Sequence, residues 1–308
     1  MNGPCIRFAG TSKFYGDVLG VMGVNLTINP GVTGLLGPNG AGKSTLIKLA
    51  SGLLCPDQGD VFIGDRSTWG NSRLGFQIGY LPDGDALPDF MTGRRFVSHL
   101  LRFHGEGVRS ARQRAETVLE RVDLSQAANR RIRTYSKGMR QRLKLAQALA
   151  HDPQVLILDE PLAGLDPVGR RDVMALIRQA GEKGRTVLVS SHILHEVEAM
   201  TDQVALMRHG RLIASGRIPE LRSGLQKQPF RIRLHVDRSR RLAAMLMECE
   251  DVIGVHVPRA TYLDLETHSP EKAIEFLTGI AARGEACIHE LGVEDQGLEA
   301  VFRYTVDR

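Results

Sequence analysis

The chain has 308 residues and a mass of 33.9 kDa, with 42% apolar and 24% charged residues, a composition that excludes intrinsic disorder for most of its length. Lys and Arg number 40 against 35 Asp and Glu, and the resulting +5 suits a phosphate ligand or an anionic surface without requiring either. Cys5, Cys55, Cys249 and Cys287 lie far apart with no C-x-x-C pair, which argues against a disulfide framework or a thiolate zinc site and fits a reducing cytoplasm.

Met1 to Phe8 carries no charged-then-apolar leader pattern, and no run approaches the roughly 18 apolar residues of a spanning helix, so the chain is expected to be soluble, with a membrane partner left open. Ile6 to Phe8 and Val18 to Ile28 alternate like antiparallel strands, and Thr33 to Leu36 is a compact strand entering a glycine-rich turn. Between Asp85 and Gln147 the apolar spacing becomes helical, as at Val118, Leu119, Val122 and Leu145 to Leu149, which predicts an inserted helical lobe. Val155 to Leu158 and Thr186 to Val189 are continuous apolar runs, the mark of parallel strands buried on both faces, with a helix over Arg170 to Gln179 between them. This alternation predicts an α/β core. Pro219 and the polar stretch Arg222 to Gln228 read as a connector, so a boundary is placed near 225. Beyond it a strand (Arg231–Val236), a helix (Leu242–Met247), two strands (Val252–Val257, Tyr262–Leu265), a helix (Ala273–Ile280) and a strand (Ala286–Leu291) give the βαββαβ order of a ferredoxin-like domain.

Gly37-Pro38-Asn39-Gly40-Ala41-Gly42-Lys43-Ser44-Thr45 fits G-x-x-x-x-G-K-[ST] and lies between a strand and an apolar helix, as a phosphate loop requires. Its glycines let backbone N–H groups close round phosphates, and the helix start adds about half a positive charge. Lys43 is placed to reach the β and γ phosphates, and Ser44 to ligate Mg²⁺. Asp159 and Glu160, ending the Val155–Leu158 strand, supply a second metal ligand and a group that orients or deprotonates the attacking water; alone, such a pair is as readily a solvated turn.

Just upstream, Tyr135-Ser136-Lys137-Gly138-Met139-Arg140-Gln141 resembles the signature motif of ABC-type ATPases. The resemblance covers roughly residues 4–220, with motifs in family order. It implies a phosphate-loop nucleoside-triphosphatase core with an antiparallel β subdomain and the helical subdomain at about 85–147, all within residues 1–224, and an accessory α+β domain over 225–308. It also implies that Ser136 and Gly138 contact the γ-phosphate held by an opposite subunit, so that two ATP molecules join a head-to-tail dimer. At matching positions, Tyr15 is expected to stack on adenine, Asp166 to communicate across the dimer, and His192 to touch the γ-phosphate and hold water. Each has a plainer reading: a core aromatic for Tyr15, a turn opening for Asp166, and for His192, with His195 and Glu196, a metal site or a solvated helix face.

Two positions depart from the family. After Ile78-Gly79-Tyr80-Leu81-Pro82 stands Asp83 where Gln is usual, a carboxylate able to bind metal through water, while Gln77 lies too early to substitute. Lys137 and Met139 replace the commoner Gly and Gln, a Ser-Lys-Gly-Met variant resembling that of certain ABC exporters. The resemblance therefore implies an ATP- and Mg²⁺-dependent ATPase subunit of an exporter. It would work as a homodimer on a separate transmembrane permease at the cytoplasmic face of the membrane, with a soluble ABC-type switch acting on a macromolecule as the alternative. The basic clusters Arg109–Arg114, Arg130–Arg133 and Arg231–Arg241 read as solvated faces, and no nucleic-acid partner is expected.

Overall fold

Ile6 and Phe8 on β1 (Ile6–Tyr15) and Val24, Leu26 and Ile28 on β2 (Val18–Ile28) alternate with more exposed residues, so this antiparallel pair buries one face. The computed structural model describes residues 3–223 and 229–293. The chain divides into two compact units, Met1–Gly216 and Arg217–Arg308. The boundary expected near 225 and the connector residues 224–228 lie outside the described residues.

In the first unit β1 also pairs with β4 (Gln58–Ile63), which carries the short β5 (Arg66–Ser67), in the order β2-β1-β4-β5. A second, six-stranded sheet runs β10-β9-β3-β8-β7-β6, with β3 (Gly31–Leu36), β6 (Ile78–Leu81), β7 (Val155–Leu158), β8 (Thr186–Ser191), β9 (Gln203–Arg208) and β10 (Arg211–Arg217). The pairs β3–β8, β3–β9, β7–β8 and β6–β7 are parallel. All four residues of β7 and all six of β8 are buried, as continuous apolar runs covered on both faces must be. Helix α1 (Lys43–Ala50) joins the sheets into one core: Leu46, Ile47, Leu49 and Ala50 are fully buried among Ile6, Val21, Val61, Val155 and Leu188.

The helical lobe consists of α2 (Gly93–Phe103), capped by Thr92, α3 (Val108–Arg121) and α4 (Lys137–Leu149). Val97, Leu101, Ala115, Leu119 and Leu143 form their inner faces. Helices α5 (Pro167–Glu182), α6 (Leu194–Glu198) and α7 (Ile218–Ser223) complete the helices up to the connector. In the second unit β11 (Phe230–Val236), α8 (Ser239–Leu246), β12 (Val252–Arg259), β13 (Tyr262–Thr267), α9 (Pro270–Ala282) and β14 (Ile288–Val293) follow the expected βαββαβ order. They form an antiparallel sheet β12-β13-β11-β14. Leu242, Leu246, Leu277 and Ile280 of the helices pack on Ile232, Leu234, Leu263 and Leu265 of the sheet. Both helices start three residues before their first apolar residue, with Ser239 tied to the Ala260 carbonyl and Pro270 at a first-turn position that needs no backbone N–H.

Where the lobe meets the central sheet, His151 stacks on His104 with ring centroids 4.0 Å apart, and Phe76 packs edge-on against His104 at 5.4 Å. A ring nitrogen of His151 lies 3.1 Å from the Ile78 carbonyl. Burial, with His104 and Arg114 adding repulsion against the weaker pull of the Ile78 carbonyl and Asp152, brings His151 down to about 4 from 6.5. A native-state pKa below the unfolded one means that stability is fully present above pH 6.5. It is lost as the pH falls toward 4, because the unfolded chain takes the proton first. His151→Phe keeps a ring against His104 but cannot titrate, so calorimetric melts should show a smaller fall in Tm between pH 6.5 and 4; an undiminished fall would contradict this origin.

Candidate active site

The parallel registers bring four loops to one edge. Leu36 of β3 is opposite Ser191 of β8, Leu158 of β7 is opposite Val189 of β8, and Leu81 of β6 is opposite Leu158. The loops that leave these strands carry Gly37, His192, Asp159 with Glu160, and Asp83, at the carboxyl ends of the strands where open α/β sheets bind ligands.

The phosphate loop turns through Gly40 (φ +79°) and Gly42 (φ +100°), conformations that exact glycine. A side chain at Gly37 or Gly42 would also place its Cβ 2.4 Å from the Met207 carbonyl or 2.5 Å from the Gly20 carbonyl. The loop lines a cleft of about 280 Å³ through Asn39 to Thr45, together with Tyr15, Asp83 and Glu160. Tyr15 is 44% exposed, which rules out the core reading, and its hydroxyl lies 3.5 Å from Thr45 Oγ1. Gly37 and Pro38 act from behind: Lys43 Nζ donates to their carbonyls at 2.6 and 3.2 Å. Burial holds the Lys43 ammonium below its usual range, opposed by the Glu160 and Asp159 carboxylates.

Asp159 is 2% exposed and accepts from Ser190 Oγ at 2.7 Å, while the same hydroxyl accepts from Glu160 N at 2.9 Å. Glu160 has φ +49°, a region costly for a non-glycine residue. Its carbonyl is held by Gln141 Nε2 at 3.0 Å, and its Oε2 lies 3.0 Å from Nδ1 of His192. Glu160 lines the cleft, its carboxylate beside the half-exposed His192 ring.

The ABC transporter family profile matches residues 21–163. The chain is 33% identical over 302 residues to the daunorubicin/doxorubicin resistance ATP-binding protein DrrA of Streptomyces peucetius, covering 96% of this chain and 91% of that one. It is 39% identical over 225 residues to the daunorubicin resistance ATP-binding protein DrrA3 of Streptomyces coeruleorubidus, covering 72% and 71%. Among solved structures it resembles the ATP-binding cassette MJ0796, a dimer in a post-hydrolysis state bound to ADP and Pi, at 25% identity and TM-score 0.64, covering 69% of this chain and 98% of that one. The chain belongs to the ABC transporter family and is one of its ATPase subunits.

In this ABC ATPase the signature residues stand apart from the cleft. Ser136 caps α4, its hydroxyl accepting from Met139 N at 3.3 Å, and Gly138 lies in the first turn with no atom closer than 3.5 Å to where a Cβ would stand. Asp166 caps α5 by accepting from Gly169 N at 3.0 Å. Glu196 is no solvated neighbour of His192: it is buried between Arg170 Nη1 at 2.6 Å and Ser191 Oγ at 3.1 Å, and no cluster of metal-ligating side chains occurs among the described residues. Gln77 does not line the cleft, whereas Asp83 does. The carboxylates of Asp159 and Asp83 add to burial in pushing the Tyr80 hydroxyl up to about 12.

Sequence reasoning missed Ser190, Gln141 and Lys144, whose roles depend on partners remote in the chain. Lys144, 5% exposed, donates to the carbonyls of Pro82, Asp83 and Gly84 at 3.0, 3.1 and 3.3 Å, and Arg140 binds Asp85 at 2.5 Å and Asp89 at 2.6 Å. The signal was present as two cations one helical turn apart on α4 above an Asp-rich loop. Lys144→Met leaves three carbonyls without their donor. It should destabilise the chain by about 1–3 kcal/mol in urea denaturation and speed amide exchange at Asp83 to Asp85; unchanged exchange there would show that Lys144 does not hold the loop.

Proposed function

We propose that the chain powers an exporter, hydrolysing ATP in a closed homodimer to drive a separate transmembrane permease from the cytoplasmic face of the membrane. The observation that carries this is the cleft where the phosphate loop, Tyr15, Asp83 and Glu160 converge, with His192 bonded to Glu160. Tyr15 offers its exposed ring to adenine. The loop N–H groups and the start of α1 bind the phosphates, and Lys43 exchanges the Gly37 and Pro38 carbonyls for phosphate oxygens. Glu160 orients the attacking water and takes its proton, and His192 holds the Glu160 carboxylate and the water in line.

The oxygen donors fit Mg²⁺: the Ser44 hydroxyl and Asp83 carboxylate line the cleft, and Asp159 is a buried carboxylate with one oxygen on Ser190. Ser44 and Asp159 would hold the ion, with Asp83 acting through water, and the metal would neutralise charge on the phosphates. The position of Ser136 and Gly138 outside the cleft supports a second copy as the source of the closing signature residues, with Asp166 near that junction. The naming of relatives for daunorubicin resistance and for Nod factor export supports the exporter reading. No helix among the described residues is long and apolar enough to cross a membrane.

Glu160→Gln should leave ATP binding intact and slow hydrolysis by about 10²–10⁴-fold, measured as phosphate release at saturating ATP; wild-type turnover in that variant would remove Glu160 from the mechanism. The same variant, tagged and purified from detergent-solubilised native membranes with Mg-ATP, should recover a multi-spanning membrane protein in stoichiometric amount. Recovery of ribosomal or nucleic-acid-binding proteins alone would instead favour a soluble switch.

A further inference from the structure

The described arginines between 231 and 283 fall into two groups. Arg231 and Arg233 on β11 and Arg283 after α9 are each paired, with Glu266 at 2.8 Å, with Asp264 at 2.8 and 3.1 Å, and with Glu285 at 3.0 Å. Arg238, Arg240, Arg241 and Arg259 instead line one cleft of about 720 Å³, within the size range of small-molecule sites. No carboxylate pairs with Arg240, Arg241 or Arg259 among the described residues. Arg238 lies 3.9 Å from Oδ2 of Asp237, whose Oδ1 already accepts from Cys287 N.

The cleft walls are fixed. Ser239, 2% exposed, donates its hydroxyl to the Ala260 carbonyl at 2.7 Å, and Val236 N donates to Thr261 O at 2.9 Å, so the start of α8 is tied to the turn between β12 and β13. Val257 and Pro258 supply an apolar side. Four like charges facing one cavity repel one another, and among the described residues only the 3.9 Å contact of Arg238 with Asp237 offsets that cost. Guanidinium forks match phosphate oxygens bidentately, and four of them exceed what a single carboxylate needs. The α8 start, with no side-chain cap, adds its dipole in the same direction. We propose that this cleft binds a phosphate-bearing anion, either a soluble polyphosphate or the headgroup of an anionic phospholipid.

The test uses the full chain with its phosphate loop saturated with ADP, probed by calorimetric titration with inorganic tripolyphosphate and by flotation with phosphatidylglycerol or phosphatidylcholine vesicles. Wild type should bind tripolyphosphate or float with phosphatidylglycerol vesicles only. The triple variant Arg240→Ala, Arg241→Ala, Arg259→Ala should lose at least about tenfold in affinity for that probe, the loss of one or more charge-assisted bonds. All three side chains are exposed, so the fold is not at stake, and ADP affinity should be unchanged. Removing the same charge elsewhere, with Arg109→Ala, Arg112→Ala, Arg121→Ala on α3, should have no such effect. Tripolyphosphate binding alone identifies a soluble ligand, and vesicle binding alone a lipid headgroup. Absence of both from wild type, or an equal loss in the α3 variant, overturns the proposal.

Discussion

The placement of α1 is the constraint on which the site depends. A phosphate cradle needs backbone N–H groups aimed at solvent from the first turn of a helix, held so rigidly that binding costs little ordering. Here the body of that helix has Leu46, Ile47, Leu49 and Ala50 fully buried between the antiparallel sheet and the parallel one, with Lys48 left on the exposed side. Each large side chain contributes about 1.5–3 kcal/mol to fixing the helix. The loop before it is then clamped from both sides, by the Gly20 and Met207 carbonyls against which Gly42 and Gly37 lie, and by the bond from Gly210 N to Ala41 O at 3.0 Å. The antiparallel sheet thus serves the cleft twice, lining it through Tyr15 and Val18 to Gly20 and closing the core over α1.

On the other side of the cleft, a single buried hydroxyl plays the corresponding part. Ser190 donates its hydroxyl to Asp159 and accepts from the Glu160 amide, so one side chain of β8 orients the Asp159 carboxylate and the Glu160 backbone at the end of β7. Backbone strain at Glu160, on the order of 1–3 kcal/mol, persists because Ser190 and Gln141 hold its amide and carbonyl. Gln141 comes from α4, the helix that Ser136 caps, and Lys144 of the same helix holds the Asp83 loop. Movement of α4 would therefore act on Glu160 and Asp83 together, which gives this helix a direct mechanical connection to both acidic sides of one cleft.

Local pattern carries much of this architecture. Val18 to Ile28, Val155 to Leu158 and the βαββαβ order after 229 are readable because each segment's periodicity or continuity matches the faces it buries. The phosphate loop is equally legible, since its glycines answer to a backbone path that no other residue follows. What escapes is set by partners distant in sequence. His192, His195 and Glu196 have the spacing of a solvated helix face or a metal site, yet Glu196 is buried because Arg170, 26 positions earlier, reaches it across the sheet edge. Similarly β4, β5, β9 and β10 have short or mixed patterns that acquire meaning only when β1 and β3 lie beside them.

Charge is managed differently in the two units. Around the nucleotide cleft, the cations and carboxylates already have specific partners before any ligand arrives: Lys43 on two loop carbonyls, Lys144 on three, Asp159 on Ser190, Glu160 on His192. Such a site changes partners on binding, and its buried groups are poorly screened by salt. The four arginines at the start of α8 and the end of β12 are exposed, so their field decays over about 8 Å at physiological ionic strength. They therefore act on an anion that comes into direct contact, and with an affinity that falls as salt rises. A formal charge of +5 cannot express that difference: one site consists of opposite charges that nearly cancel in the count, and the other of cations whose significance lies in their convergence on a single cleft.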